Sequence, residues 1–444
     1  MTKKRRKRLP QGEFEAEIEA ISHDGKGICR LDGKVHFIFG ALPSERVLFE
    51  YVKIRAKFAE GRCTSVLESS DMRQSPPCAY FGTCGGCSLQ HLRHQAQIKL
   101  KQDTLLEQIR FFGKLEPQEV LEPITGSHLH YRRSCRLGAR YVPKKGGLLM
   151  GFRERYSHYI QEMDSCAVLT RDLSSMIPIL KDTMGATSIS RKIPQVEACD
   201  VENGLFIIIR HLAPFSQHDL TILSDIVSKA ERNLFIFLQP KGPDSIRPLH
   251  GLTFPAPYYE LREQGLRLEF SPGDFIQINA LINEKLVKCA IDLLDLEQGD
   301  VLWDLFCGIG NFTLPAAQMA KQVVGVELDG RMVERAINNA ILNALDNVCF
   351  YAMDLYEKEK GLTGIRPVPN KILLDPPRSG AQEVCRLMCR DLRPERIVYV
   401  SCNLATFSRD AGILVKGGYK LKKVRVVDMF PHTSHAETIG LFEL

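Results

Sequence analysis

From Asp274 to Leu444 the chain repeats one pattern: a short, almost wholly apolar run, a break, and an amphipathic stretch with helical spacing. The runs are VLWDLF, VVGVEL, KILLD, RIVYV, KVRVVDM and TIGLFEL. Strands that alternate with helices predict a doubly wound parallel sheet, and strands apolar on both faces are those covered by helices on both sides. The helix that opens the series, NEKLVKCAIDLLDL, puts Leu286, Cys289, Ala290 and Leu293 on one face. In such a sheet, ligands lie beyond the carboxyl ends of the strands, so the residues that close each strand become the functional candidates.

The remaining sequence asks for more than one domain. At 444 residues, 44% hydrophobic and 25% charged, the composition is that of a soluble globular protein of about three domains. No run approaches the roughly 18 apolar residues of a membrane span, and the basic start has no apolar region behind it, so the expected compartment is the cytoplasm. Six of the 59 basic residues lie between Lys3 and Arg8, and the rest balance the 53 acidic ones, which makes residues 1–11 a cationic, disordered arm. Residues 12–69 alternate with period two. Phe14, Ala16, Ile18 and Ala20 form one inward set, Val35, Phe37 and Phe39 a second, and Ile54, Ala56 and Phe58 a third, with Lys53, Arg55 and Lys57 outward. Short strands broken by HDGKG, LDGK and ALPSE predict an OB-like β-barrel whose basic stripe suits a nucleic-acid backbone. Residues 70–270 mix helical and strand runs, an α+β middle domain. Within it, a helix over 95–114 has Ile98, Leu105, Ile109 and Phe112 at helical spacing and leads towards the catalytic domain, residues 271–444.

DLFCGIGNFTLPAA sets Gly308 and Gly310 between a strand and a helix, and Glu327 closes the next strand, where a carboxylate can accept from ribose hydroxyls. A dinucleotide fingerprint would place glycine where Thr313 stands, and no Gly-Lys-Ser/Thr follows. The loop therefore fits a nucleoside ligand without a pyrophosphate, such as S-adenosylmethionine. KILLDPPRSG ends a strand at Asp375 and stiffens with two prolines. Asp-Pro-Pro resembles the motif of methyltransferases acting on exocyclic amines, although Arg378 stands where those have an aromatic residue.

IVYVSCNLATFSRD carries Cys402 out of a buried strand, and HTSHAETIGLFEL places Glu437 at the start of the last one, with His432 and His435 close by in sequence. If the last strand runs antiparallel to its neighbours, Cys402, Asp375 and Glu437 emerge at one edge. Thiol and carboxylate together suit methylation of carbon 5 of uracil. A thiolate added to carbon 6 makes carbon 5 nucleophilic, and a base must then remove the carbon 5 proton. Amine methylation needs no cysteine, and an RNA-binding protein without catalysis needs neither group; these are the alternatives. HYRRSCRLGARYVPKKGG adds Arg132, Arg133, Arg136, Arg140, Lys144 and Lys145 beside Tyr131 and Tyr141, cations for phosphates with aromatics for stacking. In PPCAYFGTCGGCSLQH, Cys78, Cys84 and Cys87 are spaced as metal or cluster ligands. The fourth thiol could be Cys135, Cys166 or Cys199, and either zinc or an iron-sulfur cluster is compatible.

DPPRSG, Ser-Cys-Asn, HAE and DFIQIN with Gln277 together resemble the RNA uracil-5-methyltransferase family over nearly the whole chain. The resemblance implies S-adenosylmethionine as methyl donor, a TRAM-like N-terminal barrel and uridine in 23S rRNA as substrate, with transfer RNA the other RNA open. It implies Cys402 as nucleophile and Glu437 as proton acceptor. Gln277, Phe306, Asn311, Glu327, Asp354 and Asp375 would be cofactor-site residues. It selects Cys166 to join Cys78, Cys84 and Cys87 around a [4Fe-4S] cluster, and implies neither a membrane nor an obligate protein partner. One departure is Leu404, which stands where the family reads proline.

Overall fold

The computed structural model describes residues 9–249, 253–357 and 362–444; the basic run Lys3 to Arg8 lies outside them. Two compact units form, one of Met1–Lys101, Gly151–Met163 and Phe430–His435, the other of Gln102–Met150, Asp164–Met429 and Ala436–Leu444.

The first unit is β-rich. Its six-stranded sheet contains Phe14–Glu17, Arg46–Ile54, Phe58–Glu68, Lys34–Phe39, Lys26–Leu31 and Ala20–Ile21 in that order. Ala16, Ile18, Cys29, Ile38, Val47 and Phe49 fill its core. Three details differ from the sequence expectation, the first being that Ala20, placed with the inward set, is exposed. In Lys34–Phe39 Phe39 is buried as expected, but Val35 and Phe37 are only half-buried and His36 and Ile38 are buried instead, because the His36 ring packs on Phe49 and Tyr51 and meets the Tyr51 hydroxyl at 3.1 Å. Ile54 and Ala56 are exposed rather than inward, since the strand ends at Ile54 and the chain turns before Phe58.

The second unit holds three sheets, one of them only the pair Tyr258–Leu261 and Leu266–Glu269. The six-stranded one is mixed, with order Arg247–Pro248, Leu234–Gln239, Gly204–Arg210, Gln195–Val201, Ser134–Val142, Gly147–Gly151. Its parallel pair Gly204–Arg210 with Leu234–Gln239 is joined through helix Gln217–Lys229, which a Ser216/Asp219 capping box starts. The larger sheet has eight strands in the order Val348–Ala352, Gln322–Glu327, Val301–Leu305, Lys371–Leu374, Arg396–Ser401, Glu437–Glu443, Lys420–Val427, Glu119–Val120. The first five are mutually parallel and Glu437–Glu443 is antiparallel to both of its neighbours.

Alternate residues of the central strands divide between the faces. Trp303, Leu305, Val324, Val326, Ile372, Leu374, Ile397 and Tyr399 share one core with Val384, Phe407, Ala411 and Leu414 of the covering helices. Leu105 and Ile109, on the helix predicted to lead here, enter the same core. Phe112 does not; it is exposed, because the helix ends in a π-turn over Ile109–Gly113. Helix Ala280–Leu294 packs on the strands Lys371–Leu374, Arg396–Ser401 and Glu437–Glu443 and buries Leu286, Cys289, Ala290 and Leu293. Each such aliphatic side chain stabilises by about 1.5–3 kcal/mol, which holds the strand ends at a fixed edge.

Candidate active site

Strand register decides which residues meet. Leu374 pairs with Leu305 on one side and Tyr399 on the other, so Phe306 and Asp375 leave their strands side by side, next to Val400. Ser401 lies opposite Thr438 in the antiparallel pair, which makes Cys402 and Glu437 the next facing positions. The antiparallel last strand therefore brings Glu437 to the edge where the parallel strands end. There a cavity of about 520 Å³ opens, lined by all eight expected residues: Gln277, Phe306, Asn311, Glu327, Asp354, Asp375, Cys402 and Glu437.

The wall on the glycine-loop side is tightly built. Phe306 adopts φ 68°, a left-handed conformation a bulky residue rarely takes, and its N–H and that of Cys307 both donate to the Val326 carbonyl, at 2.8 and 3.1 Å. The reversal turns Gly308 so that its N–H donates to Glu327 Oε2 at 3.1 Å, while Leu328 and Asp329 donate to Oε1 at 2.7 and 3.2 Å. Glu327 is thus a carboxylate fixed by three backbone donors, with lone pairs left for a ligand. A Cβ on Gly308 would meet nothing nearer than Met332 at 3.9 Å, so a ligand can approach this backbone closely. Asn311 turns most of its amide into the protein: it exchanges hydrogen bonds with Asn283 at 2.9 and 3.0 Å and accepts from the Tyr259 hydroxyl at 2.9 Å. Asp354 caps a turn, accepting from the Tyr356 N–H at 2.8 Å. The Tyr356 ring faces Phe306, and its hydroxyl donates to the Gly380 carbonyl at 2.7 Å.

The opposite wall ties the Asp-Pro-Pro loop to the helix after Cys402. Asn403 caps that helix, Leu404–Lys416, by accepting from Ala405, and its amide donates to the Arg378 carbonyl at 3.0 Å. Arg409 donates to the Ser379 carbonyl, and Asp410 accepts from the Ala381 N–H and the Tyr399 hydroxyl, both at 2.7 Å. Gly380, at φ +76°, must be glycine, because a Cβ would lie 2.5 Å from the Asp410 carboxylate. These bonds hold the Cys402 loop with leucine at 404.

Charge is unevenly placed. Burial, then the neighbouring carboxylates of Glu437 and Asp375, pushes the Cys402 thiol up, opposed by Arg378 and by a backbone hydrogen bond at Cys402 itself. Burial and Asp304 push Asp375 up to about 7. Asp304 rises to about 7 through burial and Glu327, opposed by a 2.5 Å hydrogen bond from the Thr313 hydroxyl. The cavity thus combines a thiol, the Asp375 carboxyl group poised near neutrality, and the Arg378 cation.

The sequence profile of the tRNA (Uracil-5-)-methyltransferase family matches residues 258–443. A protein of Alcanivorax borkumensis named 23S rRNA (uracil(1939)-C(5))-methyltransferase RlmD is 44% identical, over 99% of this chain and 98% of that protein. One of the same name from Francisella tularensis subsp. novicida is 45% identical, over 98% of each. This chain belongs to the RlmD family of 23S rRNA (uracil-5-)-methyltransferases. The fold is that of the Pyrococcus abyssi tRNA (uracil-54, C5)-methyltransferase solved with S-adenosyl-L-homocysteine, at a TM-score of 0.73, 22% identity, and coverage of 97% of this chain and 100% of that one.

For this RlmD-family chain the other sequence candidates divide. Cys78, Cys84 and Cys87 lie in the first unit, where the Gly86 N–H donates to Cys84 Sγ at 3.4 Å; Cys166 lies in the second. Among the described residues no group of three or more His, Cys, Asp or Glu is arranged to hold a metal ion. His432 and His435 belong to the first unit, where the His432 ring meets the Gln97 amide at 3.1 Å. Arg133 is no phosphate-facing cation: it is 4% exposed, donates through Nε to the Gln277 carbonyl at 2.8 Å, and stacks 4.7 Å from the Tyr259 ring. Arg136 is exposed but paired with Glu197 at 3.1 Å. Trp303, in the strand before the glycine loop, is fully buried, and its ring N–H donates to the Pro367 carbonyl. The sequence reading missed Asp304, Thr313, Tyr259 and Tyr356. Of these, only the polar Asp304 inside an apolar strand gave a signal.

Proposed function

We propose that this chain methylates carbon 5 of a uridine in 23S rRNA, the position numbered 1939 in its relatives' names, through a transient bond between Cys402 and carbon 6 of the base. What carries the reading is the convergence of Cys402, Glu437 and Asp375 on one edge of one cavity.

S-adenosylmethionine, when bound, supplies an electrophilic methyl group. Glu327 would hold its ribose hydroxyls, Asp354 its adenine side, and the Phe306–Asn311 loop, with Gln277, its remaining length; the open backbone at Gly308 and the anchored Glu327 carboxylate fit such a ligand. The chain's own steps follow from the thiol. Cys402 Sγ, as thiolate, bonds to carbon 6, and the ring electrons move to carbon 5 and the carbonyl at carbon 4. After carbon 5 has gained its methyl group, a Glu437 carboxylate oxygen takes the carbon 5 proton. The C5=C6 bond re-forms and the sulfur leaves as thiolate. The carboxylates around Cys402 disfavour the free thiolate, so activation belongs to the RNA-bound state, in which the uridine has left its stack. Asp375, poised near neutrality, would face the uracil, and exposed Phe275 on the cavity rim would stack with it.

The remaining parts of the reading fit this role. The first unit's sheet is the TRAM-like, OB-like barrel of residues 12–69, the arm 1–11 adds charge for RNA, residues 70–270 form the middle domain and 271–444 the catalytic one. Cys78, Cys84, Cys87 and Cys166 would hold a [4Fe-4S] cluster; the short turn-rich loop and the N–H···S bond to Cys84 support thiolate ligation. Its job would be bracing, because methyl transfer moves no net electrons. Ribosomal RNA as substrate places the protein in the cytoplasm, and among the described residues no helix is long and apolar enough to cross a membrane.

The test is methylation of a 23S rRNA fragment by the purified protein, with the product mapped. Methyl at uridine C5, lost in Cys402→Ala, supports the reading. Methyl on an exocyclic amine that survives Cys402→Ala would replace it with amine transfer. RNA binding without methylation would leave a non-catalytic RNA-binding protein.

A further inference from the structure

A second concave site lies in the same unit, away from the catalytic cavity. It is a pocket of about 320 Å³ lined by Arg140, Tyr141, Pro143, Arg191, Lys192 and Leu212, among others. Two segments build it. Strand Ser134–Val142 ends here, and the 3-10 turn Ser190–Lys192 enters the antiparallel partner strand Gln195–Val201. The Leu212 N–H, donated to the Lys192 carbonyl at 2.8 Å, closes the rim. The Arg191 guanidinium stacks 4.7 Å from the centre of the Tyr141 ring.

The charge here is uncompensated. Arg140, Lys144, Lys145, Arg191 and Lys192 are all exposed, and among the described residues none of them makes an ion pair. No carboxylate lines the pocket. Of the sequence's basic segment, Arg133 and Arg136 are already engaged, so Arg140 gathers with two cations from a distant part of the chain, while Lys144 and Lys145 follow in the turn that Pro143 of the pocket begins. Forked guanidinium donors beside an aromatic face are the means by which proteins hold a phosphate and stack a base of single-stranded RNA.

Position gives the pocket its meaning. Arg133, one residue before the strand, bonds the Gln277 carbonyl at the wall of the catalytic cavity, whereas Tyr141 and Val142 end the same strand. Eight residues separate Arg133 from Tyr141, roughly 26 Å along an extended strand. A single nucleotide cannot reach both.

We propose that this pocket is an RNA exosite that grips the phosphate and base of an unpaired nucleotide several residues from the target uridine. The proposal rests on the reading of RNA as substrate, and deepens it by naming where the flanking strand is held.

The experiment is a cycle of protein and RNA truncations. The proteins are wild type, Arg140→Glu, Arg191→Ala/Lys192→Ala and Tyr141→Ala; the RNAs carry the target uridine with long or short single-stranded flanks. Dissociation constants are read between 50 and 200 mM salt, together with kcat at saturating RNA. Each variant is expected to bind the long RNA about 10-fold more weakly, with kcat unchanged and a salt slope shallower by about 0.7 for each phosphate no longer held. On the short RNA the variants and wild type converge. The exosite is overturned if the variants keep the wild-type affinity and slope, if the loss is equal on both RNAs, or if kcat falls with affinity intact. Arg140→Glu alters one exposed side chain and keeps the test open should the double variant misfold. Failure of wild type to methylate uridine would overturn the proposed function instead, and the binding cycle would still read the pocket.

Discussion

Replacing Thr313 by valine keeps the shape of a fully buried side chain and removes one hydroxyl, the 2.5 Å donor to Asp304 Oδ2. Among the described residues Asp304 Oδ1 has no hydrogen-bond partner, so the carboxyl group loses its one side-chain donor. Asp304 already sits at about 7, raised by burial and by Glu327 and restrained by Thr313. The native state therefore keeps a proton that the unfolded chain, with an ordinary carboxyl near ~3.9, has released; the stability this confers is complete below about pH 4 and is lost as pH rises through 7. A hydrogen bond to a charged group contributes about 1.5–3 kcal/mol, so its removal lifts the native pKa of Asp304 further. Below pH 6, where Asp304 is protonated in both proteins, Thr313→Val should cost about 1 kcal/mol. Above pH 8 the cost should reach about 2–3 kcal/mol, because the wild-type carboxylate is bonded to the hydroxyl and the variant's is not. At roughly 2 °C per kcal/mol for a unit of this size, melting should fall by about 2 °C at pH 6 and about 5 °C at pH 9. Thermal denaturation of both proteins across that range measures it. An equal deficit at both ends, or a larger one at pH 6, would refute the assignment of a titrating Asp304 held by Thr313.

Glu437→Gln should lower turnover by about 10²–10⁴-fold. It also removes a neighbouring charge that pushes the Cys402 thiol up, so a methylated RNA–protein adduct should accumulate on denaturing gels; lost turnover without adduct counts against Glu437 as the base. Arg133→Ala should raise KM for S-adenosylmethionine and destabilise the protein by about 2–3 kcal/mol while leaving the salt dependence of RNA binding unchanged. A shallower salt slope would return Arg133 to the phosphate-binding set. Cys84→Ala should yield protein without the visible absorbance of an iron-sulfur cluster, folded in its catalytic sheet but weaker in RNA binding; wild-type RNA affinity without a cluster would contradict the bracing role.

The catalytic sheet was legible because it is buried on both faces: VLWDLF, KILLD and RIVYV read as strands without alternation, and the edge they share made Asp375 and Cys402 candidates. Glu437 depended on the direction of the last strand, which the sequence left conditional and the antiparallel register supplies. Val348–Ala352 went unread because an edge strand with no fully buried residue carries little apolar signal. Asp304 did stand out as a carboxyl inside an apolar run, but its proton and its Thr313 partner are revealed only by the packing. Arg133 was misread because a cation in a basic segment looks solvated, whereas its place one residue before a strand points it at Tyr259 and Gln277. The pocket around Tyr141 was half visible: Arg191 and Lys192 are about fifty residues away in sequence and join it through strand pairing.

The account stands on sulfur adding to the pyrimidine ring. An RNA fragment with 5-fluorouridine at the target position has no removable proton at carbon 5, so methylation by the wild-type protein should stall after methyl transfer. The result expected is a denaturation-resistant protein–RNA adduct that needs S-adenosylmethionine and maps by peptide mass to Cys402. Binding of RNA and cofactor with no adduct at that thiol would contradict the account.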